Sequence, residues 1–177
     1  MLKIKSQAPD FSHATIYQKG AGEEGFKKIS LSDYRDKWLV LFFYPRDFTF
    51  VCPTEIKEFQ KLQQEFGSCG CGIVACSTDS KWAHKNWFER DLPEVSYPII
   101  ADTSQEIARA YEVLGKDGEA DRGVFIISPE GTIEWLMISG NSVGRSVKEI
   151  LRALKALQSG DLCPVESETG EKTLGKA

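Results

Sequence analysis

Two periods of apolar residues run through this chain, and they predict alternating strands and helices. Residues 39–44 (Leu-Val-Leu-Phe-Phe-Tyr) form a short continuous run of aromatic and branched side chains closed by Pro45, the pattern of a strand buried on both faces. After a polar turn the period lengthens. Ile56, Phe59, Leu62 and Phe66 fall on one face of a helix that opens at Pro53 and ends near Gly67. Residues 72–77 repeat the buried-strand pattern. Thr78-Asp-Ser80 then opens a helix over 81–90 that carries Trp82, His84, Trp87 and Phe88. Residues 96–100 read as a short strand, Ser104 as the cap of a helix reaching Ala110, and 111–114 as a strand before the turn at 115–118. Residues 122–128 and 132–138, joined by Pro129-Glu-Gly131, predict a hairpin. A last helix over 144–158 is amphipathic through Val147, Ile150, Leu151, Leu154 and Leu157. Upstream, 12–17 and 26–29 read as a hairpin about a glycine-rich loop, followed by a helical turn at 30–34. Residues 165–177 are polar, without apolar period, and are expected to be mobile.

Strands that alternate with helices, then a hairpin and a terminal helix, predict an α/β protein with a central mixed sheet covered by helices on both faces. The 177 residues suffice for one domain with a sizeable core, and no internal repeat is visible. The formal net charge of −4 argues against a nucleic-acid partner. No apolar run approaches the ~20 residues that span a bilayer, and the opening residues lack the apolar segment of a secretory signal. A cytoplasmic protein without a membrane partner is therefore expected. Five cysteines are an odd number with spacing unlike a disulfide scaffold, and suit core, metal or catalytic roles in a reducing compartment.

Cys52 is predicted to stand at a helix N-terminus, where free backbone N–H groups and the helix dipole favour a thiolate. An ordinary thiol, with pKa about 8.5, is only a few per cent ionised at neutral pH. Full ionisation would raise the reactive fraction roughly 30-fold, ~2 kcal/mol. One cation beside the helix terminus could supply that, but further groups must stabilise charge developing on a substrate. Position alone also allows a small buried hydrophobe. Thr49, three residues earlier, can set its hydroxyl beside the sulfur or merely cap the helix, and Pro45 can merely end the strand. Cys69, Cys71, Cys76 and His84 do not have zinc-ligand spacing, so no metal is expected. Cys76 reads as core, Cys69 and Cys71 as surface thiols, His13 as a loop residue, and Trp82, Trp87 and Trp135 as packing residues.

The run Phe-Tyr-Pro-x-Asp-Phe-Thr-Phe-Val-Cys-Pro-Thr-Glu over 43–55 resembles the active-site segment of the typical two-cysteine peroxiredoxins, which include the peroxidase subunit of bacterial alkyl hydroperoxide reductase. Ala8-Pro-Asp-Phe11 resembles that family's opening, and the likeness extends over roughly residues 6–165. The resemblance implies a thioredoxin-like domain over 1–160 and a flexible tail over 161–177. It implies a peroxidase that reduces hydrogen peroxide and organic hydroperoxides and needs no cofactor. Cys52 would be the peroxidatic cysteine. Cys163, in Leu162-Cys-Pro164, would be the resolving cysteine of a neighbouring subunit, although an exposed stray thiol is the plain alternative. Arg122, opening Arg-Gly-Val-Phe-Ile-Ile, and Thr49 with Pro45 would complete the site. Arg145 and Glu55 would support it, and Tyr44 would aim its hydroxyl into the pocket or pack as a core tyrosine. The implied partners are a thioredoxin or a flavoprotein disulfide reductase, and a second copy of the chain in a homodimer that assembles into a decameric ring. The Gly-Gly-Leu-Gly loop and C-terminal Tyr-Phe helix of peroxide-sensitive relatives have no counterpart, so rapid resolution without overoxidation is expected. A disulfide reductase is disfavoured because Cys52-Pro-Thr-Glu55 lacks a second cysteine. A cysteine hydrolase would need His13 or His84 as its base.

Overall fold

The strand expected over residues 39–44 is β3, Trp38–Phe43, in a computed structural model that describes residues 2–167 and 170–176. Its side chains alternate between two cores. Val40 and Phe42 enter one with Phe59, Phe66, Phe88 and Leu154, and Leu39, Leu41 and Phe43 enter the other with Tyr111 and Phe125. Seven strands form one sheet in the order β2-β1-β5-β4-β3-β6-β7. β1 (Ala14–Tyr17) and β2 (Phe26–Ile29) pair as the expected hairpin, and β1 joins β5 (Ile99–Ala101) antiparallel. β3, β4 (Cys71–Ser77) and β5 run parallel, while β6 (Arg122–Ile127) lies antiparallel to both β3 and β7 (Ile133–Ser139). The mixed sheet flanked by helices predicted from the sequence is therefore present.

The two faces are covered unequally. α1 (Cys52–Lys61), α2 (Gln63–Ser68), α3 (Lys81–Asp91) and α5 (Val147–Ser159) all contribute to the core of the first face. Among the described residues the second face is covered by the short α4 (Glu106–Ala110), the loop after it, the helical turn Leu31–Tyr34 and the N-terminal segment. On the first face Phe42 stacks on Phe59, ring centroids 4.1 Å apart and planes 12° from parallel. The single helix expected from Pro53 to Gly67 is interrupted at Leu62. The hydrogen-bond ladder nonetheless continues through Leu62 N–H to Glu58 O and Phe66 N–H to Leu62 O, both 3.1 Å.

Four local expectations change. Residues 111–114 form no strand. Tyr111 and Val113 instead insert their side chains under the second face, where a Cβ on Gly123 would lie 2.6 Å from Val113 Cγ1. Ser104 is not the cap of α4: buried Asp102 does that work, its carboxylate accepting from the amides of Ile107 (3.2 Å) and Ala108 (2.7 Å). Cys71 is buried rather than a surface thiol, and Trp82 is largely exposed against Phe26. Described residues of the polar tail fold back on the segment that follows α5. Leu162 N–H donates to Gly175 O (2.8 Å), Leu174 N–H to Leu162 O (2.9 Å), and Lys176 pairs with Asp161 at 2.7 Å. Among the described residues no helix is long and apolar enough to cross a membrane.

Candidate active site

The crossover from β3 to parallel β4 places the loop 44–51 and the start of α1 at the C-terminal end of β3. Parallel strands commonly carry their sites at such ends. Cys52 is the first residue of α1 with Pro53 behind it, so the first-turn amides that no helix can satisfy lie beside the thiol. Cys52 is 1% exposed. The antiparallel register of β3 and β6 pairs Phe42 with Val124, which carries Arg122 to the same end of the sheet. The β6–β7 pairing sets Ser139 opposite Arg122, and the chain returns through the following loop to deliver Arg145 just before α5.

The result is a buried charge cluster built from three distant stretches. Arg122 Nη1 lies 3.5 Å from Cys52 Sγ and donates to Glu55 Oε2 at 2.6 Å, while its Nε donates to Asn141 O at 2.9 Å. Arg145 grips the same carboxylate with its backbone amide (2.7 Å), Nε (2.8 Å) and Nη2 (3.1 Å). Its Nη1 donates to Gly123 O at 2.5 Å, and its guanidinium lies over the Phe42 ring. Burial alone would push the Glu55 carboxyl up. Hydrogen bonds and charge from Arg145, with the charge of Arg122, outweigh it and hold the group below its ordinary value. The Glu55 carboxylate thus holds Arg122 with its Nη1 toward the Cys52 sulfur.

The remaining expected residues fall into place differently. Pro45 is buried at the end of β3. Thr49 is half-buried, and its hydroxyl donates to Arg46 O at 2.9 Å. Tyr44 is a core tyrosine: its hydroxyl donates to Asp47 Oδ1 at 2.8 Å within a buried polar group. Cys163 lies at the far end of α5, with its sulfur 3.5 Å from Ser159 Oγ. The 13 residues of α5 separate it from the Arg145 end by roughly 20 Å at ~1.5 Å per residue. No group of three or more His, Cys, Asp or Glu among the described residues could hold a metal. Burial pushes the Cys71 thiol up to about 12 and raises Cys76 as well.

Cys52, Glu55 and Arg122 lie within one family segment of the chain, and Arg145 lies beyond its end. Residues 4–136 match the model of the AhpC/TSA family. The chain belongs to the AhpC/TSA family. It is 41% identical to a putative peroxiredoxin of Pyropia yezoensis, over 98% of this chain and 89% of that one. It is 43% identical to a thioredoxin peroxidase of Trypanosoma brucei rhodesiense, over 97% and 89%. The reduced 2-Cys peroxiredoxin of Plasmodium vivax superposes with a TM-score of 0.89 at 30% identity, covering 96% of this chain and 91% of that one. The thioredoxin-like fold expected of an AhpC/TSA member is thereby the one found.

Sequence reading of this AhpC/TSA chain passed over one buried group. Asp47 and His84 lie 2.7 Å apart, both closed to solvent. A signal was available: His84 shares the face of α3 with the core residues Trp87 and Phe88, and a polar residue on an apolar face must find a partner.

Proposed function

We propose that Cys52 attacks the terminal oxygen of a hydroperoxide and that Arg122 stabilises the charge this displaces. The chain is a thiol-dependent peroxidase of the peroxiredoxin type. The observation that carries the mechanism is the Arg122 guanidinium, within reach of the Cys52 sulfur on one side and locked to Glu55 on the other. In the first step the sulfur–oxygen bond forms, the O–O bond breaks, and the leaving alkoxide or hydroxide takes a proton, giving Cys52 sulfenic acid and ROH or water. Thr49, with Pro45 shaping the turn, serves the peroxide oxygens. For this its hydroxyl turns from Arg46 O or accepts while donating there.

Cys163 then attacks the sulfenic sulfur. A disulfide forms and water leaves, and an external dithiol returns both thiols by exchange. Two cysteines bridge only when their Cα atoms come within about 7 Å. The placement of Cys163 at the opposite end of α5 from the Arg145–Glu55 cluster supports a pairing between Cys52 of one subunit and Cys163 of another. The first turn of α1 must unwind to release the buried Cys52. A homodimer is the minimum assembly for this scheme, and a decameric ring is its extension. The name of the Trypanosoma relative supports a thioredoxin as reductant over a dedicated flavoprotein disulfide reductase. The five free cysteines support a reducing, cytoplasmic compartment as the site of action.

The test adds one equivalent of hydrogen peroxide to reduced wild-type, Cys52→Ser and Cys163→Ser proteins, read by intact mass and non-reducing gel. Wild type should form a crosslinked dimer through Cys52 and Cys163, and Cys163→Ser should stop at a sulfenic acid. An unreactive Cys52, or the same crosslink in Cys163→Ser, would overturn the scheme.

A further inference from the structure

The loop that joins β3 to α1 is tethered to the rest of the molecule through Asp47. Its Oδ1 accepts from Tyr44 Oη at 2.8 Å, and its Oδ2 faces His84 Nδ1 at 2.7 Å. Its backbone amide donates to Asp79 Oδ2 at 2.8 Å. The other ring nitrogen of His84 meets Ile100 O at 3.2 Å, so α3 is linked through this one side chain to both the loop and β5. Ile100 O can only accept, so Nε2 is the nitrogen that donates there, and Nδ1 is the one that faces the Asp47 carboxylate.

Neighbouring residues show what the tether controls. The residue before Asp47 is Arg46, whose carbonyl holds the Thr49 hydroxyl at 2.9 Å. The residue after it, Phe48, has φ of 57°, the left-handed region that a bulky side chain occupies only when its surroundings impose it. Phe48 leans on Trp87 of α3, ring centroids 5.8 Å apart, so the strained residue and its neighbour Asp47 are both attached to the same helix. Without the Asp47 attachment this strain would relax and carry Arg46 and Thr49 with it. Cys52 itself, held in α1 and beside Arg122, would stay.

We propose that Asp47 and His84 are positioning residues for the peroxide reaction: the buried pair sets where Thr49 stands relative to Cys52. The proposal rests on Cys52 being the peroxide-reactive thiol. It separates two properties of that thiol. Attack on a peroxide depends on Thr49 being in place, and alkylation by iodoacetamide needs the sulfur alone.

The two ring nitrogens can be replaced one at a time, because an asparagine amide nitrogen can mimic Nδ1 and a glutamine amide nitrogen Nε2. His84→Asn keeps a donor on Asp47, and His84→Gln keeps only the donor to Ile100 O. With misplacement by an ångström sufficient for large rate losses, His84→Gln should lower the second-order rate with hydrogen peroxide about tenfold or more, and His84→Asn should restore it to within about threefold of wild type. Iodoacetamide alkylation of Cys52 should stay within about twofold of wild type in both. Tyr44→Phe, which removes the donor to Oδ1 and keeps the ring, should lower the peroxide rate at least about threefold with alkylation again unmoved. Equal losses in the two His84 variants, an alkylation rate that falls in step with the peroxide rate, or an unchanged peroxide rate in Tyr44→Phe would each overturn the proposal. A wild-type Cys52 that consumes no peroxide would overturn instead the reading beneath it, so the two failures are distinct.

Discussion

Replacing Glu55 by glutamine should uncouple the arginine cluster from the fold, and the structure sets the size of the effect. Four hydrogen bonds converge on the carboxylate, one from Arg122 and three from Arg145. Both arginines are buried, at 2% and 7% exposed, so neither can turn to water for compensation. Removing one member of a buried ion pair typically costs ~3–5 kcal/mol. Glutamine keeps one acceptor oxygen but points an amide N–H at an arginine N–H, so a loss of about 3 kcal/mol is expected. The assay is urea unfolding of reduced protein at fixed protomer concentration, since assembly would otherwise shift the midpoint.

The cluster also predicts non-additivity. With the carboxylate replaced by an amide, Arg122 Nη1 depends more on Cys52 Sγ, and Cys52→Ser should then cost ~1 kcal/mol more than it does in wild type. The acid limb gives an independent check. The Glu55 carboxyl is held below its ordinary value of 4.5 in the fold. Its contribution is therefore complete above that pH and disappears as pH falls through the lower folded-state value. The difference between wild type and Glu55→Gln should shrink in the same acid window. A Glu55→Gln protein within about 0.5 kcal/mol of wild type at neutral pH, the size of a surface change, would refute the reasoning.

Arg122→Met keeps most of the buried stem and removes the donor at the sulfur, so the peroxide rate should fall ~100- to 1000-fold in stopped-flow measurements. Because burial pushes Cys71 up to about 12 and raises Cys76 as well, thiol reagents at pH 8 should leave both intact in the native reduced protein. Cys69 and Cys163, both half-buried, should label first, as mass spectrometry of the digested protein would show. Phe59→Ala removes the ring stacked on Phe42 at 4.1 Å and should cost ~3–5 kcal/mol of unfolding free energy, with the loss read from denaturant midpoints.

What the sequence by itself determined is what depends on neighbours along the chain. The continuous apolar run at 39–44 reads as a strand covered on both sides, because a strand with one exposed face would leave either Val40 or Leu41 in water, and the two cores bear it out. The 3.6-residue period marked α1 and α5, and the polar turn ending at Cys52-Pro53 marked a helix start with a thiol on it. The cluster of Cys52, Glu55, Arg122 and Arg145 could be named through a family resemblance. Its geometry could not be derived, because the hydrogen bonds span 67 to 90 positions and only strand register decides what meets at that distance. Tertiary contacts also overruled local pattern. Residues 111–114 look like a strand, yet the space beneath Gly123 takes Val113 as a plug. Ser104 looks like a cap, yet Asp102 is the better-placed acceptor, with two amides in reach. His84 carries no motif, and its meaning appears only when folding brings Asp47 to it. A buried polar atom acquires its role from its partner, and folding decides which partner it meets.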